Sequence, residues 1–243
     1  MSIQTRLVDY ESGGKIFEGM LAWNDASERD CPGVLVAHTI AGRSAHEEDR
    51  ACRLAELGSV GFALDVYGKG TQTTEFDRNK AMMDELRADR LELQRRLLAA
   101  LACLREQPEV EADHIAAIGF CFGGLSVLDI ARTGEDIAGV VSLHGIFQAP
   151  GNTGGNSIKA KVLALHGWDD PLAKPEDVVA LADELTSMDA DWQIHAYGNT
   201  THAFTNPHAD DWEGGKKYNK DADRRSWLAT QNFLAELFGN DGV

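Results

Sequence analysis

The feature that most constrains the fold is a regular alternation of short apolar runs with longer amphipathic segments. The runs VLVAH, VGFALDVYG, IAAIGF, IAGVVSLHG, AKVLALHG and WQIHAYG are predicted to be strands, and the most continuously apolar of them are typical of strands buried on both faces. Helical patterns lie between them, including one with Ser44 as N-cap and one with Pro175 in its first turn. This alternation predicts a doubly wound α/β fold, in which a mostly parallel sheet carries helices on both faces.

The two ends of the chain complete this prediction. IQTRLVDY and IFEGMLAW flank the turn ESGGK and are predicted to form an N-terminal hairpin, and DADRRSWLATQNFLAELFG predicts a closing amphipathic helix. The charged stretch from about Glu75 to Glu106 is helical, either as one helix or as two. No linker, composition break or internal repeat divides the chain, so we expect residues 1–243 to form a single domain.

Composition excludes several classes of partner. Lys and Arg number 23 and Asp and Glu number 39, a formal net charge of −16, which repels nucleic acids and anionic lipid surfaces. No apolar run reaches the roughly 18 residues of a membrane span, and the first residues lack the layout of a secretory signal. The four cysteines show no framework spacing, so we expect a reduced, cytoplasmic setting.

Between Ile115 and Leu125 the chain has the sequence IAAIGFCFGGL, which places Cys121 at a predicted strand-to-helix turn. This pattern is G-x-S-x-G with cysteine in place of serine, the turn that presents a nucleophile in α/β-hydrolases. Side chains at positions 119 and 123 would collide with the backbone that crosses there, and glycine removes them. The helix that follows favours a thiolate at its N-terminus. The alternative is a close-packed turn with an inert cysteine.

A thiolate nucleophile requires a base and a group that orients the base. In this fold the acid precedes the histidine, and each follows a strand. VLALHGWDDP supplies Asp169 and Asp170, and WQIHAYGNTTHAF supplies His202, each just past a predicted strand. Taken singly, each of these residues can be an ordinary turn or surface residue, but together with Cys121 they favour a Cys-His-Asp triad.

Over nearly its whole length the sequence resembles the dienelactone hydrolase family of cysteine-dependent α/β-hydrolases. The resemblance rests on GFCFGG at the turn, HGWDDP in the acid loop and HAFTNP after the last strand, with support from YGKG and YNKDADRRSWLATQNFL. It implies the α/β-hydrolase fold, with Cys121 as nucleophile, Asp170 rather than Asp169 as acid, and His202 as base. It also implies an oxyanion hole formed by the backbone N–H groups of Ile40 and Phe122.

The sequence departs from the family at two positions. Thr39, in HTIAG, stands where the family has a glutamate that interacts with the thiol, so activation must rely on His202 or on nearby His38. Asn206 stands where the family has an arginine that holds the substrate's carboxylate, which favours a neutral ester or lactone. His38, Thr39, Trp168, Phe204 and Asn206 are therefore predicted to line the substrate pocket, with Phe122 as a further aromatic candidate.

We accordingly expect a hydrolase of neutral carboxylic esters or lactones that forms an acyl-thioenzyme and uses neither a metal nor an organic cofactor. The first alternative is hydrolysis of phosphotriesters, as the main or a side activity, by the same residues. A non-catalytic relative that uses Cys121 as a thiol switch or binds a ligand is a further alternative, although it requires neither Asp170 nor His202. The protein is expected to be a monomer or a homodimer.

Overall fold

The computed structural model describes residues 2–27 and 30–239, so the predicted domain 1–243 extends past the described residues at both ends. The strands are β1 (Ile3–Ser12), β2 (Lys15–Asn24), β3 (Cys31–Ala37), β4 (Val60–Ala63), β5 (Val110–Phe120), β6 (Gly139–Leu143), β7 (Lys161–Gly167), β8 (Trp192–Tyr197), β9 (Asp210–Asp211) and β10 (Lys216–Lys217). The helices are α1 (Ala45–Glu56), α2 (Phe76–Ala88), α3 (Arg90–Arg105), α4 (Phe122–Arg132), α5 (Pro175–Ser187) and α6 (Lys220–Leu237).

Eight of these strands form one sheet in the order β1-β2-β4-β3-β5-β6-β7-β8. The hairpin β1–β2 and the pair β2–β4 are antiparallel, and every pair from β4 to β8 is parallel. The chain reverses its direction across the sheet between β3 and β5, and ligands bind beyond the carboxyl ends of the strands at such a reversal. The predicted α/β-hydrolase fold, with its N-terminal hairpin, is confirmed.

Two apolar layers sandwich the sheet. One face packs against α2 to α5 through side chains such as Leu97 and Leu181, and the other packs against α1 and α6 through Leu54 and Phe233. The central strands contribute to both layers because successive side chains of a strand point to opposite faces. Burial on both faces explains why these strands were continuous apolar runs in the sequence.

Two local features refine the prediction. The stretch from Glu75 to Glu106 forms two helices that meet at Asp89, whose side chain caps α3 by accepting the N–H of Glu92 at 3.0 Å. The sequence analysis did not predict the short hairpin β9–β10, whose paired residues are all charged and carry no apolar alternation. Over the described residues, no helix is both long enough and apolar enough to cross a membrane.

Candidate active site

The turn between β5 and α4 places Cys121 at the carboxyl edge of the sheet. Cys121 has φ 57° and ψ −112°, a strained backbone conformation for a residue other than glycine, and its side chain is partly exposed. A Cβ on Gly119 would collide with the carbonyl of Gly123, and a Cβ on Gly123 would collide with the carbonyl of Ala37. Glycine at both positions therefore allows the turn to pack against its neighbours.

Three loops bring a thiol, an imidazole and a carboxylate together at this edge. His202 is buried, and its Nδ1–H donates to Oδ2 of Asp170 at 2.7 Å. The other oxygen of Asp170 accepts the N–H of Leu172 at 2.8 Å. Nε2 of His202 is buried without a hydrogen-bond partner among the described residues, and His202 lies close enough to Cys121 for the two groups to interact electrostatically.

Asp169 and Asp170 differ sharply in their surroundings. The side chain of Asp169 is exposed, whereas that of Asp170 is buried against His202. The backbone N–H of Asp169 donates to the carbonyl of Thr200 at 2.9 Å, which fastens the acid loop to the loop that carries His202. The residue that the family resemblance assigns as the acid is the one in contact with the imidazole.

The thiol and the imidazole shift each other's pKa. Burial alone would raise the pKa of Cys121, but the His202 imidazolium and two backbone N–H groups lower it overall. Burial alone would lower the pKa of His202, but the Cys121 thiolate and the Asp170 carboxylate raise it to about 10. Each shift favours the charged form of its group, so the pair favours a thiolate on Cys121 and an imidazolium on His202.

The two N–H groups that stabilise the thiolate belong to Ile40 and Phe122, the predicted oxyanion donors. Tyr67 contacts both residues: its hydroxyl donates to the carbonyl of Ile40 at 3.2 Å, and its ring stacks on that of Phe122 with centroids 6.2 Å apart. Glu47 holds the same loop from α1 by accepting the N–H of Thr39 at 3.3 Å. The donors thus lie on backbone that is held from two sides.

His38 is fully engaged in backbone hydrogen bonds. Its Nε2 accepts the N–H of Val66 at 3.2 Å, so its Nδ1 carries the proton and donates to the carbonyl of Thr39 at 2.7 Å. Both nitrogens are occupied, which leaves His202 as the imidazole in contact with Cys121. The hydroxyl of Thr39 accepts the N–H of Ala41 at 3.2 Å, a contact within its own loop.

The other residues predicted to line the substrate pocket differ in their exposure to solvent. Trp168 is 44% exposed beside the acid loop and is available to a ligand. Phe204 is fully buried against His144 and Tyr197, with ring centroids 5.1 and 5.6 Å away. Asn206 is exposed, and its side-chain oxygen accepts the N–H of His208 at 3.0 Å in a local turn.

Sequence reasoning missed two groups near His202. His144 packs against the His202 ring, and no local pattern distinguishes such a histidine from an ordinary strand-end residue. Lys216 pairs with His202 in an isolated β-bridge and holds its Nζ 6.0 Å from the centre of the Phe76 ring. This places a cation on the chain segment that pairs with His202. Within the described residues, no cluster of three or more His, Cys, Asp or Glu side chains is suited to hold a metal ion.

The sheet order, the strained turn and the thiol–imidazole–carboxylate arrangement define an α/β-hydrolase with a cysteine at the nucleophile position. The dienelactone hydrolase family model matches residues 17–238, and the chain belongs to that family. It is therefore a hydrolase that acts on ester bonds, as the sequence predicted.

Individual relatives agree with this assignment. A solved structure described as m3DLH shares 35% identity with the chain, has a TM-score of 0.91, and the match covers 98% of this chain and 100% of that one. The dienelactone hydrolase-like promiscuous phosphotriesterase P91 from metagenomic libraries shares 37% identity, with the same TM-score of 0.91 and coverage of 98% and 100%. A putative carboxymethylenebutenolidase of Aquifex aeolicus is 25% identical over 85% of this chain and 89% of its own.

Proposed function

We propose that the protein hydrolyses neutral carboxylic esters or lactones with Cys121 as nucleophile, His202 as acid and base, and Asp170 as the group that orients His202. The observation that carries the proposal is the convergence of Cys121, His202 and Asp170 at one edge of the sheet. Nδ1 of His202 lies 2.7 Å from Oδ2 of Asp170, and the N–H groups of Ile40 and Phe122 lie beside the sulfur. A thiolate and an imidazolium at these positions supply a deprotonated nucleophile and a protonated acid, and the opposite pKa shifts of Cys121 and His202 favour those forms.

The first half of the reaction follows from this pair. The thiolate of Cys121 attacks the carbonyl carbon, a C–S bond forms, and the carbonyl electrons move onto oxygen, where the N–H groups of Ile40 and Phe122 stabilise the charge. As the oxyanion collapses, the C–O bond to the leaving group breaks, and the Nε2–H of His202 protonates the departing alkoxide. A thioester on Cys121 and a neutral His202 remain.

The second half depends on a change in the pKa of His202. The charge of the Cys121 thiolate contributes strongly to the raised pKa of His202, and thioester formation removes that charge while the burial that lowers the pKa remains. His202 in the acyl-enzyme is therefore neutral and can accept a proton from water, which the imidazolium of the free enzyme cannot do. Hydroxide attacks the thioester, the C–S bond breaks, and the thiolate and imidazolium are restored.

Neutral substrates are favoured by the character of the residues near the sulfur. Ile40 and Ile146 belong with Cys121 to the half-buried groups that pack on the α2–α5 side of the sheet, and Trp168 lies exposed after β7. Asn206 provides no cation at the position where the resembled enzymes carry arginine. We expect an apolar acyl group to be bound chiefly by contact with these surfaces.

Phosphotriester hydrolysis is the second candidate. It is favoured by the likeness to P91, which is described as a promiscuous phosphotriesterase. A neutral phosphorus centre needs the same thiolate and the same N–H donors, and attack would form an S–P bond on Cys121 with loss of one alkoxide. Water activated by His202 would then cleave that bond.

Covalent trapping tests the proposal. The protein is mixed with a p-nitrophenyl ester or with paraoxon for seconds, quenched in acid, and analysed by intact-mass and peptide mass spectrometry. We expect the mass of the acyl or phosphoryl group on the peptide that contains Cys121, and a burst of p-nitrophenol equal to the enzyme concentration if the second half is slower. Turnover without a burst or any adduct on Cys121, and undiminished in Cys121→Ala, would remove the proposed nucleophile. A thiol switch predicts no turnover at all.

A further inference from the structure

A second buried histidine lies against His202. His144 directly follows β6 and is 2% exposed, and its ring centroid lies 5.1 Å from that of His202, with the ring planes at 70°. The rings of Phe120 and Phe204 flank it at 6.1 and 5.1 Å. No step of the proposed reaction uses His144, although burying an ionisable side chain is costly.

The backbone at His144 is strained in a way that directs its side chain. Its φ is 38°, in the left-handed region that residues with a Cβ rarely adopt. The residue is held there by the hydrogen bond from its own N–H to the carbonyl of Leu165 on β7, at 2.9 Å. Such strain concentrates at functional sites, where the surrounding structure fixes an otherwise unfavourable conformation.

The hydrogen bonds of His144 determine its protonation state. Nε2 lies 2.8 Å from Oγ1 of Thr205, while Nδ1 is buried without a partner among the described residues. A buried N–H without an acceptor costs more than a bare acceptor, so the single proton of a neutral ring belongs on Nε2, where it is donated to Thr205. A second proton on Nδ1 would be a buried charge with no acceptor.

The charges around His144 act in the same direction. His202 faces it from the loop after β8, and His46 and Arg50 face it from α1. Burial is the largest influence, and with the charges of His202 and Arg50 and any proton on His46 it holds the pKa of His144 well below its ordinary value. His144 therefore stays neutral while His202 gains and loses a proton during the reaction.

We propose that His144 is a positioning residue for His202. Thr205 lies three residues after His202, so the hydrogen bond from His144 fixes the loop that carries the base, and the ring contact limits rotation of the imidazole. Together they keep Nε2 of His202 directed at Cys121. An uncharged ring can do this beside an imidazolium without repelling it. The inference rests on the proposed function, since it requires the Cys121–His202 ion pair.

Three variants test the inference. His144→Asn removes the ring, and asparagine tolerates the left-handed backbone. Thr205→Val removes the hydrogen bond but keeps the contact between the two rings, and His144→Phe keeps a ring without the hydrogen bond. The first readout is the pH dependence of Cys121 alkylation by iodoacetamide, which needs no substrate. The second is kcat and KM for a p-nitrophenyl ester. Leu185→Ala on α5, in the layer on the other side of the sheet, is the control for general loss of stability.

We expect His144→Asn to shift the alkylation midpoint toward higher pH and to lower kcat on the order of 10- to 100-fold with little change in KM. Thr205→Val and His144→Phe should change the alkylation midpoint and kcat in the same direction but by less. If His144→Asn does not fold, these two variants still test the inference. Leu185→Ala should lower the melting temperature without moving the midpoint. Midpoints and kcat values that stay at wild-type values in the His144 and Thr205 variants would overturn the inference. An ordinary thiol midpoint in the wild type would instead remove the ion pair, and with it the proposed function.

Discussion

At Cys121, burial and charge act on the same sulfur in opposite directions. Removal from water favours the thiol, while His202 and the N–H groups of Ile40 and Phe122 favour the thiolate, and the second influence is larger. Cys103 shows what burial does without such partners, since it raises the pKa of that thiol to about 11. The pKa values of the two thiols are shifted in opposite directions because their neighbours differ, and of the two environments that of Cys121 is the one that favours a thiolate.

Replacing the sulfur tests the residue directly. We expect Cys121→Ala to abolish ester turnover while leaving the melting temperature within a few degrees of the wild type, because the side chain is small and partly exposed. Cys121→Ser should retain weak activity, since a hydroxyl is much harder to deprotonate than a thiol. Initial rates with a p-nitrophenyl ester and thermal unfolding followed by circular dichroism measure both. Full activity in a folded Cys121→Ala protein would contradict the assignment.

The acid loop offers a matched pair of substitutions. Asp170→Asn replaces the carboxylate that binds His202, whereas Asp169→Asn changes an exposed neighbour. The loss in kcat from Asp170→Asn should approach the roughly 10⁴-fold seen for the equivalent change in serine triads, because an amide cannot stabilise the imidazolium. Asp169→Asn should stay within a few-fold of the wild type. The reverse order in steady-state kinetics would identify Asp169 as the acid.

The pH dependence of alkylation follows from the two pKa shifts. The pKa of Cys121 lies below its ordinary value of 9.0, and that of His202 is raised to about 10. The rate of alkylation by iodoacetamide should therefore rise as the pH passes the lowered Cys121 pKa, well before an ordinary thiol reacts, and change again near pH 10 as His202 loses its proton. In His202→Ala the midpoint should move upward, because the imidazolium that stabilises the thiolate is gone. Identical profiles in the two proteins would exclude the ion pair.

At the scale of elements, the site is assembled by loops that follow adjacent parallel strands. Ile40 follows β3 and Cys121 follows β5, and these two strands are neighbours at the reversal in sheet order. The acid and base follow β7 and β8, which are also neighbours. Hydrogen bonds between the loops, such as the one from Tyr67 to Ile40, then fix the distances between the groups of the site.

The hydroxyl of Tyr67 provides a test of the oxyanion loop. Tyr67→Phe removes the hydrogen bond to the Ile40 carbonyl but keeps the ring on Phe122. Loss of an oxyanion donor costs about 10²- to 10³-fold in kcat, and loosening one should cost less, about 10-fold with KM nearly unchanged. Tyr218→Phe, which removes a hydroxyl bonded to Asp223 on α6, is the matched control and should leave kcat unchanged. Equal kcat in the two variants would show that the loop does not need Tyr67.

The elements that could be predicted from the sequence are those whose signals are local. Buried strands are continuous apolar runs, and the requirement for glycine at 119 arises within the turn itself, whereas the requirement at 123 comes from the close approach of Ala37 on β3. The hairpin β9–β10 was missed because two-residue strands of charged residues have no periodicity. His144 was missed because its partner lies 58 positions away along the chain and is brought near by the sheet order β6-β7-β8. Phe204 was proposed for the pocket from its nearness to His202 in sequence, but the turn of the loop directs its ring into the core.

For the whole molecule, charge is the property that bears most on substrate choice. A formal charge of −16 disfavours the approach of anions to every part of the surface. Against this background we expect a single cation near the site to have a large influence, and Lys216, whose backbone pairs with His202 in the β-bridge, is the candidate. We therefore expect the preference for neutral substrates to depend on the balance between the acidic surface and this lysine.

A comparison of matched substrates tests that balance. We expect kcat/KM for a neutral ester to exceed that for a carboxylated lactone by about 10-fold or more, which corresponds to the loss of one charge-assisted hydrogen bond. Asn206→Arg should raise kcat/KM for the carboxylated lactone and leave the neutral ester nearly unchanged. Lys216→Met should lower kcat/KM for the carboxylated lactone alone, since removing the cation increases the repulsion that an anion meets. Both effects should weaken in 0.5 M salt, where exposed charges are screened over about 4 to 5 Å. A native preference for the carboxylated lactone that disappears in Lys216→Met would contradict the preference for neutral substrates and identify Lys216 as the group that binds the carboxylate.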